Sequence, residues 1–134
     1  MTIENALVIG ASGGIGVAVT RHLRDGGAAV TTLSRSADGL DLTDEASVAR
    51  ALARLDGPVD LIFVATGVLD TPEKTLRAIT PEAMAAQFAV NATGPLLVLK
   101  HALYLMPRDR RAVFAAISAR VGSIGDNRLG GWYS

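Results

Sequence analysis

An apolar run, Ala-Leu-Val-Ile-Gly at residues 6–10, breaks directly into Gly10-Ala11-Ser12-Gly13-Gly14-Ile15-Gly16 and from there into a helical pattern. An uninterrupted apolar run of this length suits a strand buried on both faces. From Gly14 onward, Ile15, Val19 and Leu23 recur at four-residue steps while Arg21, Arg24 and Asp25 fall elsewhere, which predicts an amphipathic helix closed by Gly26-Gly27. Residues 29–34, Ala-Val-Thr-Thr-Leu-Ser, are β-branched and predict a second strand. Strand, glycine loop, helix and strand in this order make a βαβ unit, and that unit commits the chain to a parallel sheet with helices packed on it.

The alternation continues to the last residues. Residues 39–42 have room only for a short strand, and Thr43 or Asp44 supplies an N-cap for a helix over 45–55 that the Gly57-Pro58 breaker closes. Residues 59–64 form the clearest later strand and end at Ala65-Thr66-Gly67. Thr80-Pro81-Glu82 places a capping residue before a proline, so a helix starts there. It runs through Met84, Phe88 and Val90, is interrupted at Gly94-Pro95, and resumes over 96–106. Pro95 and the polar Asn91, Thr93, Lys100 and His101 argue against a membrane span. A charged turn over 107–111 leads to a last strand at 112–118. The predicted class is α/β: a doubly wound, Rossmann-like parallel sheet with helices on both faces, running to about the fifth strand.

Composition narrows the partners. The 134 residues carry 13 Lys+Arg against 13 Asp+Glu, which leaves no basic footprint for nucleic acid or an acidic membrane surface. There is no Cys, so disulfides and thiolate chemistry are excluded, and the first residues have no signal-peptide pattern; a cytoplasmic location is expected. His22 and His101 lack a second ligand at metal spacing, so no metal site is expected, and Arg108, Arg110 and Arg111 around Asp109 read as a solvated connector.

In doubly wound sheets ligands bind beyond the carboxyl ends of the strands. After the first strand, glycines at 10, 14 and 16 permit a sharp turn, close approach of backbone to ligand, and packing of helix on sheet. The helix start adds unpaired N–H groups and a positive dipole end, so Gly10, Ser12, Gly13, Gly14, Ile15 and Gly16 form a predicted pyrophosphate cradle. A plain tight turn is the competing reading, and the βαβ context favours the dinucleotide.

The spacing Gly-x-x-x-Gly-x-Gly resembles that of the short-chain dehydrogenase/reductases. Other strand ends agree: Asp41-Leu42 looks like the family's adenine-contacting pair, Ala65-Thr66-Gly67 stands where Asn-Ala-Gly underlies the cofactor, Asn91 matches the active-site Asn, and Ser118 the substrate-orienting Ser. The resemblance covers essentially the whole chain, and residues 118–128 with the later Gly-Gly-Trp-Tyr-Ser resemble the C-factor-like subgroup most. Ile9 and Ala65 depart from the family's Thr and Asn, removing side-chain hydrogen bonds between the glycine loop and its neighbouring strands.

The resemblance implies hydride transfer between a nicotinamide and a small carbonyl or alcohol substrate. In that scheme a Tyr is general acid/base, a Lys four residues later lowers its pKa, the Ser polarises the carbonyl, and the Asn holds a water. Asn91 and Ser118 fit these roles, with a structural hydrogen bond as the alternative for Asn91 and a strand-end turn contact for Ser118. Tyr133 is one candidate for the Tyr; in the C-factor-like subgroup, Trp-Tyr-Ser is followed by another Tyr that begins Tyr-x-x-x-Lys. The motif's Lys is outside these residues and neither Lys74 nor Lys100 holds its place, so residues 1–134 are expected to be an incomplete NAD(P)-binding domain, inactive alone. A nucleotide-binding or signalling protein without turnover is the rival reading.

Cofactor choice turns on the end of the second strand. An acid there would accept from the ribose hydroxyl, whereas Ser34-Arg35 offers a cation to a 2'-phosphate, so NADP(H) is expected over NAD(H), with a merely solvated Arg35 as the alternative. The long apolar helix and the last strand would leave apolar surface and a sheet edge uncovered, which predicts either a homo-oligomer formed through that helix or an incomplete protein whose remainder covers it.

Overall fold

The computed structural model describes residues 2–69, 75–126 and 128. Four parallel strands, β1 (Asn5–Ile9), β2 (Ala29–Leu33), β3 (Leu61–Val64) and β4 (Val113–Ala116), form one sheet in the order β2-β1-β3-β4. Helix α1 (Gly14–Asp25) joins β1 to β2. The short α2 (Arg35–Asp38) and α3 (Glu45–Leu52) lie between β2 and β3, and α4 (Pro81–Phe88) and α5 (Gly94–Ala102) between β3 and β4. The α/β class, the parallel sheet and its covering helices are those required by the sequence pattern.

The strand pleat divides the core. Leu7, Ile9, Ile62 and Val64 point to one face, where Val48 and Leu52 of α3 and Val98 and Ala102 of α5 complete one hydrophobic cluster. Ala6 and Val8 point to the other face and are equally buried, with α1 packed on β1 and β2. The buried side of α1 is formed by Gly16 and Thr20, whereas Ile15, assigned to the apolar stripe, is 53% exposed.

Residues 39–42 correct the sequence reading: they form no strand. The Ser47 hydroxyl donates to the Gly39 carbonyl (2.8 Å) and accepts from Asp41 N–H (2.9 Å), so these backbone groups are satisfied locally instead of by a ladder along β2. Leu40 and Leu42 are still buried and plug the core. Helix α3 is capped by Asp44, which accepts from Ala46 N–H, and it ends at Leu52 rather than residue 55.

Between α4 and α5 the backbone widens into a π-turn at Ala89–Thr93. Pro95 has no N–H to return to the carbonyl of Asn91, and its ring crowds that carbonyl, so the chain passes through wider i→i+5 bonding, as in Gly94 N–H to Ala89 O. The interruption read at Gly94-Pro95 therefore falls one turn earlier. At α5, Lys100 Nζ (2.6 Å) and His101 Nε2 (2.8 Å) both meet Glu45 Oε1, tying α5 to the start of α3. The two contacts, Lys100 foremost, hold the Glu45 carboxyl below its ordinary range.

The opposite end of the sheet is closed by Asp60, which is 3% exposed. Its Oδ2 accepts from Glu4 and Asn5 N–H (3.1 and 3.0 Å), and its Oδ1 from Arg110 Nε and Nη2 (3.2 and 3.0 Å). Arg110 is thus a specific partner and not only part of a solvated turn. Among the described residues, no helix is long and apolar enough to cross a membrane.

Candidate functional site

From β1 the chain crosses to β2 on one side, then passes over β1 to β3 on the other. Loops leaving the carboxyl ends of β1 and β3 therefore diverge, and a crevice opens between them. A cleft of ≈ 380 Å³ lies there, and it brings together Gly10, Ser12, Gly13, Arg35, Asp41, Leu42, Ala65, Thr66 and Gly67, with Ser34, Leu40, Thr43, Val68 and Val90 completing its lining. Gly14, Ile15 and Gly16 stand beside it in the first turn of α1.

The three motif glycines do three different things. Gly10 turns the chain with φ +80°, and a Cβ there would come within 2.8 Å of Thr66 Cγ2. Gly16 lets the helix sit on the loop, since its Cβ would overlap the Gly10 carbonyl oxygen and approach Ala11 Cα to 2.8 Å. At Gly14, by contrast, a Cβ would meet nothing within 4 Å among the described residues. Its missing side chain leaves open space over the start of α1. Among the described residues no side chain caps that end, and no acid lies in its first turn, so its leading N–H groups and positive dipole end are available to an anion.

Main-chain bonds tie the glycine loop to its neighbouring strands. Gly10 N–H donates to Leu33 O (2.8 Å), and Ala65 N–H to Ile9 O (2.8 Å), so the glycine loop is fixed to both neighbouring strand ends.

At the β2 end, a local cap shapes the turn that carries Arg35. Ser34 Oγ accepts from Ala37 N–H (3.2 Å), while Ser34 N–H donates to Asp38 Oδ2 (2.8 Å). The Asp38 carboxylate is held by this cap, and Arg35 is exposed at the cleft. Asp41 Oδ1 accepts from the Thr43 hydroxyl (2.7 Å) and N–H (2.9 Å). These bonds, the hydroxyl foremost and aided by the charge of Arg35, hold the Asp41 carboxyl below its ordinary value against the opposing effect of burial.

On the β3 side, Thr66 Oγ1 is buried without a hydrogen-bond partner among the described residues, an orphan polar group in the wall of the cleft. With the open space at Gly14, it makes the site chemically suited to a polar, phosphate-bearing ligand. Asn91, within the π-turn, holds this wall from behind: Oδ1 accepts from Val68 N–H (2.9 Å) and Nδ2 donates to Val68 O (2.8 Å). Ser118 is exposed two residues past β4, and because Val64 stands opposite Ala116, it matches the step of Thr66 past β3. Tyr133 and Lys74 lie outside the described residues.

Sequence reasoning missed Val68 and Gln87. The available signal was a glutamine one helical turn before Asn91 in an otherwise apolar stretch, the spacing at which side chains meet.

The family model described as the NAD dependent epimerase/dehydratase family matches residues 6–124. The chain is 31% identical to the 1-hydroxy-2-glutathionyl-2-methyl-3-butene dehydrogenase of Rhodococcus sp. (strain AD45), over 98% of this chain and 63% of that protein. It is similar to the structure of a short-chain type dehydrogenase/reductase from Mycobacterium ulcerans (25% identity, TM-score 0.76, 88% of this chain and 52% of that one). A small-chain dehydrogenase in complex with NADPH shares the fold at 22% identity and TM-score 0.76, over 90% of this chain and 52% of that one. The chain spans between 38% and 63% of the length of four curated relatives it matches. Because the family match runs unbroken from within β1, through the glycine loop and every strand, to beyond β4, the chain belongs to the NAD dependent epimerase/dehydratase family.

Proposed function

We propose that this chain is the cofactor-binding part of an NADP(H)-dependent oxidoreductase of short-chain dehydrogenase type, acting on a carbonyl or alcohol. The observation that carries this reading is the single cleft onto which the glycine loop, Arg35 and the Thr66 wall all open. A bound dinucleotide would supply or accept hydride there.

The chain's own residues divide the remaining work. The N–H groups at the start of α1, with Ser12, Gly13, Gly14, Ile15 and Gly16 around them, hold the pyrophosphate. Arg35 pairs with the 2'-phosphate, to which its planar guanidinium can donate two parallel bonds. Asp41 and Leu42 contact the adenine, while Ala65, Thr66 and Gly67 line the floor towards the nicotinamide. Asn91 keeps that floor in place, Ser118 polarises the substrate oxygen, and Tyr133 or the tyrosine of a following Tyr-x-x-x-Lys motif moves the proton. The 134 residues alone bind cofactor without turnover, and the protein works in the cytoplasm.

Titration with both cofactors tests this. The expected result is NADPH bound at least about tenfold tighter than NADH, with Arg35→Glu weakening NADPH about 100-fold and leaving NADH within about threefold. Tighter NADH binding by the wild type overturns the assignment to NADP(H), and binding of neither dinucleotide overturns the whole reading.

Self-association through α4 and α5 belongs to the same proposal. Phe88, Leu96 and Leu103 expose 56%, 66% and 61% of their surface along this helical stretch, an apolar stripe without a cover among the described residues. Sedimentation should show a dimer or larger species that Leu96→Glu with Leu103→Glu dissociates; a monodisperse wild-type monomer rejects it.

A further inference from the structure

We propose that Gln87 is a positioning residue for the cleft, acting through the Asn91 amide on the main chain of Val68; this rests on the dinucleotide-binding reading above. Gln87 is 6% exposed on α4, where a polar side chain has to be hydrogen-bonded, and its Oε1 accepts from Asn91 Nδ2 at 3.1 Å. Nδ2 carries two hydrogens, and the second goes to Val68 O at 2.8 Å, while Oδ1 accepts from Val68 N–H at 2.9 Å.

The amide has one orientation. A flip would turn NH2 towards Val68 N–H and carbonyl oxygen towards two other carbonyl oxygens, those of Val68 and Gln87. The Val68 main chain sets this orientation, and Gln87 Oε1, taking the remaining hydrogen of Nδ2, braces the amide across the widened turn, where i→i−4 backbone bonding is interrupted.

The consequence reaches the ligand side through short steps. Asn91 Oδ1 lies 3.5 Å from where a Cβ on Gly67 would stand, and Gly67, Val68 and Val90 all line the cleft. When the brace is lost, the Val68 clamp opens more often and the wall of residues 65–68 is less often in its binding position. Asn91 thus keeps the wall in place, and Gln87 keeps Asn91 in place.

The test uses Gln87→Met, which keeps length and apolar bulk but cannot accept the bond, together with Asn91→Ala and the double variant. Two measurements are made on the full chain: NADPH titration, and hydrogen exchange of the Val68 amide by NMR without cofactor. Gln87→Met is expected to weaken NADPH binding and to speed Val68 exchange about fivefold each, the scale of one net hydrogen bond. In the Asn91→Ala background it should change either quantity less than about twofold, because the route through Asn91 is already cut. Equal effects in both backgrounds, or unchanged Val68 exchange in Gln87→Met, overturn the proposal. If the wild type binds no dinucleotide, the cofactor reading fails, while the Val68 exchange still decides the role of Gln87.

Discussion

Gly14→Val is expected to abolish NADP(H) binding, with a loss of at least about 100-fold, while the melting temperature stays within about 3 °C of the wild type. Gly14 is the first residue of α1 and a Cβ there meets no described atom within 4 Å outside its chain neighbours and its own helix, so the fold has room for a side chain. The same branched side chain occupies the space over the helix start through which a pyrophosphate must approach. Gly16→Ala makes the contrast: its single methyl overlaps the Gly10 carbonyl, and it should lower stability by about 1–3 kcal/mol as well as binding. Calorimetric titration with thermal melting separates the two. Normal cofactor affinity in Gly14→Val would show that the open space is not the cradle.

Asp60→Ala should give the largest loss of stability, about 2–4 kcal/mol, measured by urea unfolding. The substitution removes the acceptor for Glu4 and Asn5 N–H and for Arg110 at once. Arg110 is half-exposed and regains water, so the cost falls mainly on the two N–H groups at the start of β1. The pH dependence has a definite sign. The N–H of Asn5 foremost, with Arg110 and Glu4, outweighs burial and holds the Asp60 carboxyl below its ordinary value. Its contribution is complete above the unfolded-state value of about 3.9 and disappears as pH falls through the folded one. Wild type should therefore lose stability on acidification below about pH 4 more steeply than Asp60→Ala. Parallel acid profiles would remove the carboxylate from this role.

Much of the fold was legible because local and global signals coincide. The run at residues 6–10 is apolar on both pleat faces, Gly10 needs its positive φ, and Thr80-Pro81 caps and opens α4 where its residue types predict. Residues 39–42 misled because apolar character marks burial, not pairing. Leu40 and Leu42 are core residues, and a hydroxyl six residues beyond Asp41, on Ser47, decides against the ladder. Ile15 misled in the opposite way, since small residues, Gly16 and Thr20, let α1 lie close to the sheet and turn Ile15 outward.

The cleft was legible as strand ends, since a parallel sheet gathers whatever follows its strands. The long-range ties were not. Asp60 and Arg110, at the far end of the sheet from the cleft, are fifty positions apart, and Glu45 is 55 and 56 positions from Lys100 and His101; neither spacing repeats a helix or strand period. The Gln87–Asn91 contact, at one helical turn, was open to sequence reasoning.

The central place of β1 has a temporal consequence. Its pairing with β2 is complete in sequence by Leu33, but its other edge waits for Leu61 to Val64, and the cover for Leu7 and Ile9 includes Val98, Ala102 and Leu105. At a synthesis rate of about 5–20 residues per second, the first βαβ unit spends several seconds outside the ribosome with an apolar face and an open strand edge. Its freedom from aggregation then depends on the pace at which the later half arrives, so codon usage and chaperone access between residues 34 and 105 bear on the yield of folded protein.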